Sequence, residues 1–352
     1  MTPQAPIPLP RLGVALCSFN SADVILDCLE SLLASEGVAL SIVVADNAST
    51  DGTVRLIRDW AEGRTPYAPP ADCPFSFRPV PRQGPLPLDG TALAGSPHSV
   101  LLVETGVNGG FAAGVNRALA SLSDIPRLDQ FWILNPDSMV PPGTAAAFAG
   151  AGGQEGGFSL MGGRVAYFET PDQIQIDGGT LNCWTGVTGN RNLGAPTNGT
   201  PSVDPAGLAF ITGASMVASR AFYEAAGPMP EDYFLYYEEV DWALRRGKLP
   251  LAYCAGGLVY HRAGTAIGSP TLGRPASPFS LYFKHRGRLR FMRRHYPTKV
   301  ATALLYSAAK AMQLLLKGYP REAWTVISGS LGLPPPADVR ARLSPEAQKR
   351  AF

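Results

Sequence analysis

Disulfide and zinc frameworks are both missing from this chain. The five cysteines, Cys17, Cys28, Cys73, Cys183 and Cys254, are scattered, odd in number and form no CxxC pair. Such usage fits a reducing compartment, so the expected location is the cytoplasm. Also missing is any run of about 20 uninterrupted apolar residues, the length that a bilayer span requires. The nearest stretch, Val300 to Leu316, is interrupted by Lys310 and Gln313. Met1 to Pro10 is proline-rich and lacks the apolar segment of a signal peptide. Charged residues are scarce, 16% against 45% hydrophobic, which excludes global disorder and allows a buried core. Carboxylates disappear altogether between Trp242 and Arg321.

That gap is one side of a charge split that the overall net charge of +2 conceals. Residues 1–241 hold 11 Lys/Arg and 25 Asp/Glu, a net of −14, whereas residues 242–352 hold 19 and 3, a net of +16. Two parts of opposite sign either attract each other or meet different partners. A chain of 352 residues accommodates one large α/β domain and a smaller extension.

The hydrophobic pattern predicts strands over Leu12–Ser18, Leu40–Ala45, Ser99–Glu104, Phe131–Leu134, Leu160–Phe168, Phe210–Ser219 and Leu251–Tyr260. Helical spacing predicts helices over Ala22–Ser35, Thr53–Ala61, Gly109–Leu122, Pro142–Gly150, Arg220–Ala226 and Glu238–Arg246. Strands that alternate with helices indicate an α/β fold with a mostly parallel central sheet. Residues 62–97 are proline-rich and read as a long insertion. From Pro278 onward the pattern is helical and basic. The expected division is a nucleotide-binding domain over 1–275 and a basic helical extension over 276–352.

Four polar clusters fall at carboxyl ends of predicted strands, where open parallel sheets bind ligands. The first joins Ser18 and Asn20 to Asp46, which begins Asp46-Asn47-Ala48-Ser49-Thr50-Asp51-Gly52. A carboxylate such as Asp46 can accept the N3–H of uracil or thymine, or it can simply cap a turn. Asp51 before Gly52 and Thr53 reads as a helix cap. The second cluster is Asn108-Gly109-Gly110-Phe111 running to Asn116, whose glycines allow close backbone approach to a ligand. It is neither a GxGxxG fingerprint nor a P-loop. The third is Asn135-Pro136-Asp137-Ser138. Asp137 at a strand end can hold a divalent ion against a diphosphate, or form an ordinary turn. The fourth is Glu238, Glu239 and Asp241 behind a run of aromatics, with His261 about a strand later. Crowded carboxylates in a partly buried site raise one another's pKa toward that of a general base, and His261 is a candidate metal ligand.

The order of these motifs resembles the inverting family 2 glycosyltransferases of GT-A fold, in their rhamnosyltransferase-like bacterial branch. The matching segments are SFN at 18–20, ADNASTDGT at 45–53, NGGFAAGVN at 108–116, ILNPDS at 133–138, TGASMVASR at 212–220, YFLYYEEVDWALR at 233–245 and VYH at 259–261. The resemblance implies that Asp46 contacts the nucleobase, that Asp137 is the metal-binding acid of a DXD-type motif, that Glu239 supplies the catalytic base, and that His261 is a further metal ligand. Two residues depart from the family pattern. Asn135 stands where the first acid of DXD is expected, and Glu239 stands where Asp is commoner, which keeps Glu238 and Asp241 in competition for the base. The implied cofactor is Mg²⁺ or Mn²⁺, the donor a nucleoside-diphosphate sugar with dTDP-rhamnose first and a UDP-sugar second, and the acceptor a saccharide or lipid-linked saccharide of cell-surface polysaccharide synthesis.

No nucleic-acid partner is expected. A nucleotidyltransferase-like enzyme would need a basic glycine-rich loop near the N-terminus, and residues 12–30 contain none. A catalytically inactive binding module would not need the acidic cluster. Lys284 to Lys299 carries seven Lys/Arg and no acid ahead of the apolar Val300–Leu316 stretch. That pattern suits peripheral contact with the inner face of a membrane; packing on the catalytic domain or on a second subunit of a homodimer is the alternative.

Overall fold

A computed structural model describes residues 8–82, 84–152, 157–262 and 276–352. The N-terminal residues 1–7 and the expected domain boundary at residue 275 lie outside the described residues. The strands are β1 (Arg11–Ser18), β2 (Ala39–Asp46), β3 (Asp89–Ala92), β4 (Ser99–Glu104), β5 (Gln130–Leu134), β6 (Ser138–Met139), β7 (Leu160–Tyr167), β8 (Ile174–Ile176), β9 (Gly179–Leu181), β10 (Thr188–Asn190), β11 (Ser215–Ser219) and β12 (Ala252–His261). The helices are α1 (Ile25–Leu33), α2 (Thr53–Ala61), α3 (Phe111–Ser123), α4 (Thr144–Ala151), α5 (Arg220–Ala226), α6 (Glu238–Leu244), α7 (Pro278–His295), α8 (Val300–Leu316), α9 (Pro320–Leu331), α10 (Ala337–Arg340) and α11 (Pro345–Ala351).

The expected α/β architecture is present. A ten-stranded sheet runs β3-β4-β2-β1-β5-β11-β7-β12-β6, with β8 paired to β7. Six of its strands, β1, β2, β4, β5, β7 and β12, share one direction, while β11 runs against its neighbours β5 and β7. Side chains alternate across this sheet as strand geometry requires. Leu12, Val14 and Leu16 pack with α1, α2 and α4 on one face. Ala15, Phe131 and Ile133 pack with α3, α5, α6 and α7 on the other. Helices therefore cover both faces and leave the shared carboxyl ends of the strands as the open rim.

The 62–97 insertion is tied down by polar contacts to the first two helices. Arg82 donates to the buried Glu30 carboxylate at 2.7 Å and lies over the Trp60 ring, and the Tyr67 hydroxyl donates to Asp27 at 3.0 Å. Phe75 stacks on Tyr260, so the insertion also covers β12 near the far sheet edge. Five short strands were not anticipated: β3 inside the insertion, β6 after Asp137, and β8, β9 and β10 between residues 174 and 190. Each is two to four residues long, too short for a period-two pattern to register.

The basic extension is not an independent appendage. Arg288 is buried and donates to the carbonyl of Thr185 at 2.6 Å and to the Ser307 hydroxyl. Arg294 bridges Asp232 and Asp241, and His295 also reaches Asp241. Gly287 lets α7 press on the Tyr236 carbonyl, since a Cβ there would sit 2.6 Å from it. The opposite charges of the two parts thus meet each other along α7. No helix among the described residues is long and apolar enough to cross a membrane.

Candidate active site

The strand rim carries two adjoining cavities. The first is lined by Phe19, Asn20, Asn47, Asn108, Gly110 and Asp137 together with residues of the extension. The second is lined by Gln175, Thr212, Tyr236, Glu238, Glu239 and Lys284. Phe111, Asn135, Leu235 and His261 border both and mark the junction.

Asp137 and His261 are brought together by strand register. β6 pairs with β12 so that Ser138 lies opposite His261, and the amide of Arg262 donates to the Asp137 carbonyl at 2.9 Å. The carboxylate Oδ1 of Asp137 then stands 3.0 Å from His261 Nε2. Asn135 Nδ2 is 3.1 Å from the same nitrogen. On the far side of the ring, Nδ1 is 2.8 Å from Gln175 Oε1. An amide oxygen only accepts, so Nδ1 carries the hydrogen; in the neutral ring Nε2 accepts from the Asn135 amide, and it donates to Asp137 when the ring is protonated. Burial pushes the imidazole pKa down, but the adjacent Asp137 carboxylate outweighs it and the net shift is upward. A carboxylate oxygen and an imidazole nitrogen at this separation, with an outer amide fixing the ring, are donor types that a divalent cation can take. Among the described residues there is no cluster of three or more His, Cys, Asp or Glu that could hold one.

Glu238 and Glu239 are delivered by a strained turn. Phe234, Tyr236 and Tyr237 all have positive φ, at 65°, 67° and 76°. Such backbone costs about 1–3 kcal/mol per residue unless its surroundings impose it. Here they do. The Phe111 amide donates to the Phe234 carbonyl at 2.9 Å, the Tyr236 hydroxyl meets Ser280 Oγ at 2.8 Å, and the Tyr237 hydroxyl donates to the Gly186 carbonyl at 2.7 Å. Gly110, at φ 89°, permits the first of these contacts, because a Cβ there would lie 2.2 Å from the Phe234 oxygen. The α6 helix then starts with both glutamates in the second cavity. Glu238 is 3% exposed and its Oε2 has no hydrogen-bond partner among the described residues. Burial, and then the Glu239 charge, hold the Glu238 carboxyl well above the ordinary range. Burial also raises Glu239, while backbone N–H groups at the helix start and Lys284 pull it back. Two adjacent acids with separated affinities for the proton suit one ionised base beside one neutral carboxylic acid.

Asp241 does not join them, contrary to expectation. It is fully buried and accepts from Tyr233 at 2.8 Å, Arg245 at 2.9 Å, Arg294 at 2.9 Å and His295 at 3.0 Å. Burial alone would raise its pKa, but the donors from His295, Tyr233 and Arg294 win and lower it. A fully buried carboxylate with four donors on it anchors α7 to α6 and is not presented to a substrate hydroxyl. Its depressed pKa contributes stability at neutral pH that is lost as pH falls through the folded value.

The other expected residues divide in the same way. Asn20 and Asn108 line the first cavity. Asn108 Oδ1 also accepts from the Gly110 amide at 2.9 Å, and the buried Asn47 amide bonds the Gly110 carbonyl at 2.8 Å. Asp46, 2% exposed, lies behind the wall. Its oxygens accept from the Ser49 amide and hydroxyl at 2.9 and 2.6 Å and from Ser18 Oγ at 3.3 Å. The geometry thus gives Ser18 and Asp46 a supporting position, not a direct one. Asn116 is remote in role: its amide is engaged by Met229 and Glu231 and pins α3 to the 229–231 segment. Sequence reasoning passed over Gln175, Lys284 and Asn47 as site residues. Only Asn47 carried a signal, its place beside Asp46. Cys17 also lines the first cavity, and burial pushes its thiol up to about 12, which makes it a neutral wall.

The model of the family described as "Glycosyl transferase family 2" matches residues 14–70, which run from β1 through α2 into the insertion. The N-acetylglucosaminyl-diphospho-decaprenol L-rhamnosyltransferase of Mycobacterium tuberculosis is 25% identical over 284 residues, covering 72% of this chain and 78% of that protein. The succinoglycan biosynthesis protein ExoO of Rhizobium meliloti is 40% identical over 57 residues, 16% of either chain. Among solved structures, GalNAc-T7 with UDP, GalNAc and Mn²⁺ superposes with a TM-score of 0.51 at 12% identity, over 90% of this chain and 54% of that one. A two-cavity rim on an α/β sheet, a family match on its first two βα units and a relative aligned along most of its length agree, and the chain is similar to the family 2 glycosyltransferases.

Proposed function

We propose that this enzyme transfers a sugar from a nucleoside-diphosphate donor in the first cavity to an acceptor hydroxyl in the second, inverting the anomeric centre. One observation carries the reading: the cavities meet at Asn135 and His261, with Asp137 on one side and Glu239 on the other. A single displacement needs the attacking hydroxyl and the leaving diphosphate on opposite faces of the sugar. Glu239 takes the proton of the incoming hydroxyl, and the upward-shifted Glu238 beside it disfavours a second negative charge on the pair. Asp137 and His261 would hold Mg²⁺ or Mn²⁺, which offsets the charge gathering on the diphosphate when bound. Asn20, Asn108 and Gly110 shape the nucleotide wall, and Asp46 braces it through Ser18 and Ser49.

For the donor we favour dTDP-rhamnose, then a UDP-sugar. The similarity to an L-rhamnosyltransferase supports the sugar. Calorimetry with dTDP, UDP and GDP in the presence of Mn²⁺ tests the nucleotide. Tighter binding of dTDP or UDP than of GDP, by about tenfold or more (1.4 kcal/mol), is the expected result. GDP bound tightest rejects both donors.

For the acceptor we favour a saccharide carried on a polyprenyl diphosphate, in keeping with the lipid-linked substrate in that relative's name. The surface supports contact with a bilayer, at a place other than the arginine-rich helix. Leu305, Met312, Leu315, Leu316, Tyr319, Trp324 and Leu331 on and between α8 and α9 are all exposed, Leu316 at 82% and Trp324 at 55%. Lys310, Lys317 and Arg321 accompany them. An apolar face with an aromatic and cations beside it fits the headgroup boundary, where each Lys or Arg adds about 1 kcal/mol. Wild-type protein should sediment with anionic vesicles at low salt, and Leu316→Glu with Trp324→Glu should abolish this. If the double variant instead only turns a dimer into a monomer, the face is a subunit interface and the membrane reading falls.

A further inference from the structure

We propose that Arg342, in the turn between α10 and α11, is a phosphate-binding residue of the donor site, so that the extension completes the cavity in which the nucleotide sits. The inference rests on the reading that the first cavity takes a nucleoside-diphosphate sugar. Arg342 and Leu343 line that cavity together with Asn20, Asn108 and Asp137, although they lie more than two hundred residues later in the chain. The cavity's described lining includes two carboxylates, Asp23 and Asp137, and one guanidinium, that of Arg342, with no lysine. A diphosphate brought into this lining adds negative charge to negative charge. A guanidinium offers the planar fork of donors that matches phosphate oxygens and keeps its charge at every working pH.

The turn that presents Arg342 is built rather than incidental. Leu343 is buried in a cluster with Phe234, Leu235, Phe279 and Phe283, the same strained turn that leads into Glu238. The guanidinium carbon of Arg342 lies 4.9 Å from the centre of the Phe279 ring, which sets its direction along the cavity wall. Gln348 closes the turn from α11, with its amide donating to the Leu343 carbonyl at 3.0 Å and to the Arg340 carbonyl at 3.2 Å. Arg286 of α7 holds the end of α11 through the carbonyls of Ala351 and Phe352. The side chain of Arg342 itself remains exposed at the cavity mouth, where an entering diphosphate would meet it. The role also has a chemical motive. Asn135 stands where an acid would have strengthened the cation site, so a protein-borne positive charge on the diphosphate compensates for a weaker ion.

Calorimetric titration of the full chain with dTDP and with thymidine, and in parallel with UDP and uridine, separates a phosphate contact from a structural one. Arg342→Gln should weaken diphosphate binding by about 10- to 100-fold, the range for a hydrogen bond to a charged partner. Nucleoside binding should stay unchanged, and Arg342→Lys should recover part of the diphosphate affinity. Equal losses for nucleoside and diphosphate, or no loss in either, would overturn the proposal. If wild-type protein binds no nucleoside diphosphate at all, the donor-site reading fails first and the proposal with it. A wild type that binds and an Arg342→Gln variant that binds equally well sinks this proposal alone.

Discussion

Replacing Glu239 with glutamine is expected to lower sugar transfer by about 10²- to 10⁴-fold while leaving donor affinity nearly intact. Glutamine keeps the size and the hydrogen-bonding reach of the side chain and removes only its ability to take a proton. Donor affinity should survive because the nucleotide cavity is formed by other residues, Asn20, Asn108 and Asp137 among them. The pH profile gives a second, independent readout. Burial raises the Glu239 carboxyl above its ordinary range. A base works only when deprotonated, so the rate should fall as pH falls through that raised value. The acidic limb of the kcat profile should therefore lie above the range of an exposed glutamate. Lys284 opposes the rise, so Lys284→Gln should move the same limb to still higher pH. Initial rates measured across pH for the three proteins decide the matter. Near-normal turnover in Glu239→Gln, coupled with loss in Glu238→Gln, would transfer the role to the more deeply buried neighbour.

The competition among the three acids shows where sequence reasoning stopped. Glu238, Glu239 and Asp241 are indistinguishable as letters in one helical turn. What separates them is the company that the fold brings. Asp241 is claimed by Arg294 and His295, 53 and 54 positions away, whereas Glu239 faces a cavity and a single lysine. Asn116 looked like a ligand contact for the same reason, and its partners at 229 and 231 were invisible from its neighbourhood. By contrast, features fixed by local chemistry were readable. The long strands and helices follow from hydrophobic period, and parallel strands necessarily put Asn20, Asn108 and Asp137 on one rim. The charge of α7 was plain in the sequence, but its destination was not: Arg290 and Arg294 close onto Asp232 and Asp241, and the exposed apolar surface lies on the next two helices. Gln175 offered no signal at all, since its only distinction is to lie 2.8 Å from a histidine 86 residues later.

That glutamine bears on the second large effect, the loss expected from removing Asp137. A divalent ion on the diphosphate contributes several kcal/mol of charge stabilisation in the transition state, so Asp137→Ala should cost about 10²- to 10³-fold in kcat/KM. Excess chelator should produce a comparable loss, reversed by Mn²⁺ or Mg²⁺. The argument is geometric. Asp137 Oδ1 and His261 Nε2 are 3.0 Å apart where the two cavities adjoin, and no third His, Cys, Asp or Glu joins them among the described residues. An ion held by these two residues would have positions open to diphosphate oxygens, so its affinity should rise when nucleoside diphosphate is present. Calorimetric Mn²⁺ titrations with and without dTDP measure that coupling directly, apart from turnover. Gln175→Ala should have a smaller effect, about 10- to 100-fold on metal affinity, because it loosens the ring without removing a ligand. Full activity in excess chelator would exclude the ion from the reaction. If activity disappears in Asp137→Ala but survives in His261→Ala, the ion is held by the acid and the diphosphate, and the imidazole serves only to position Asp137.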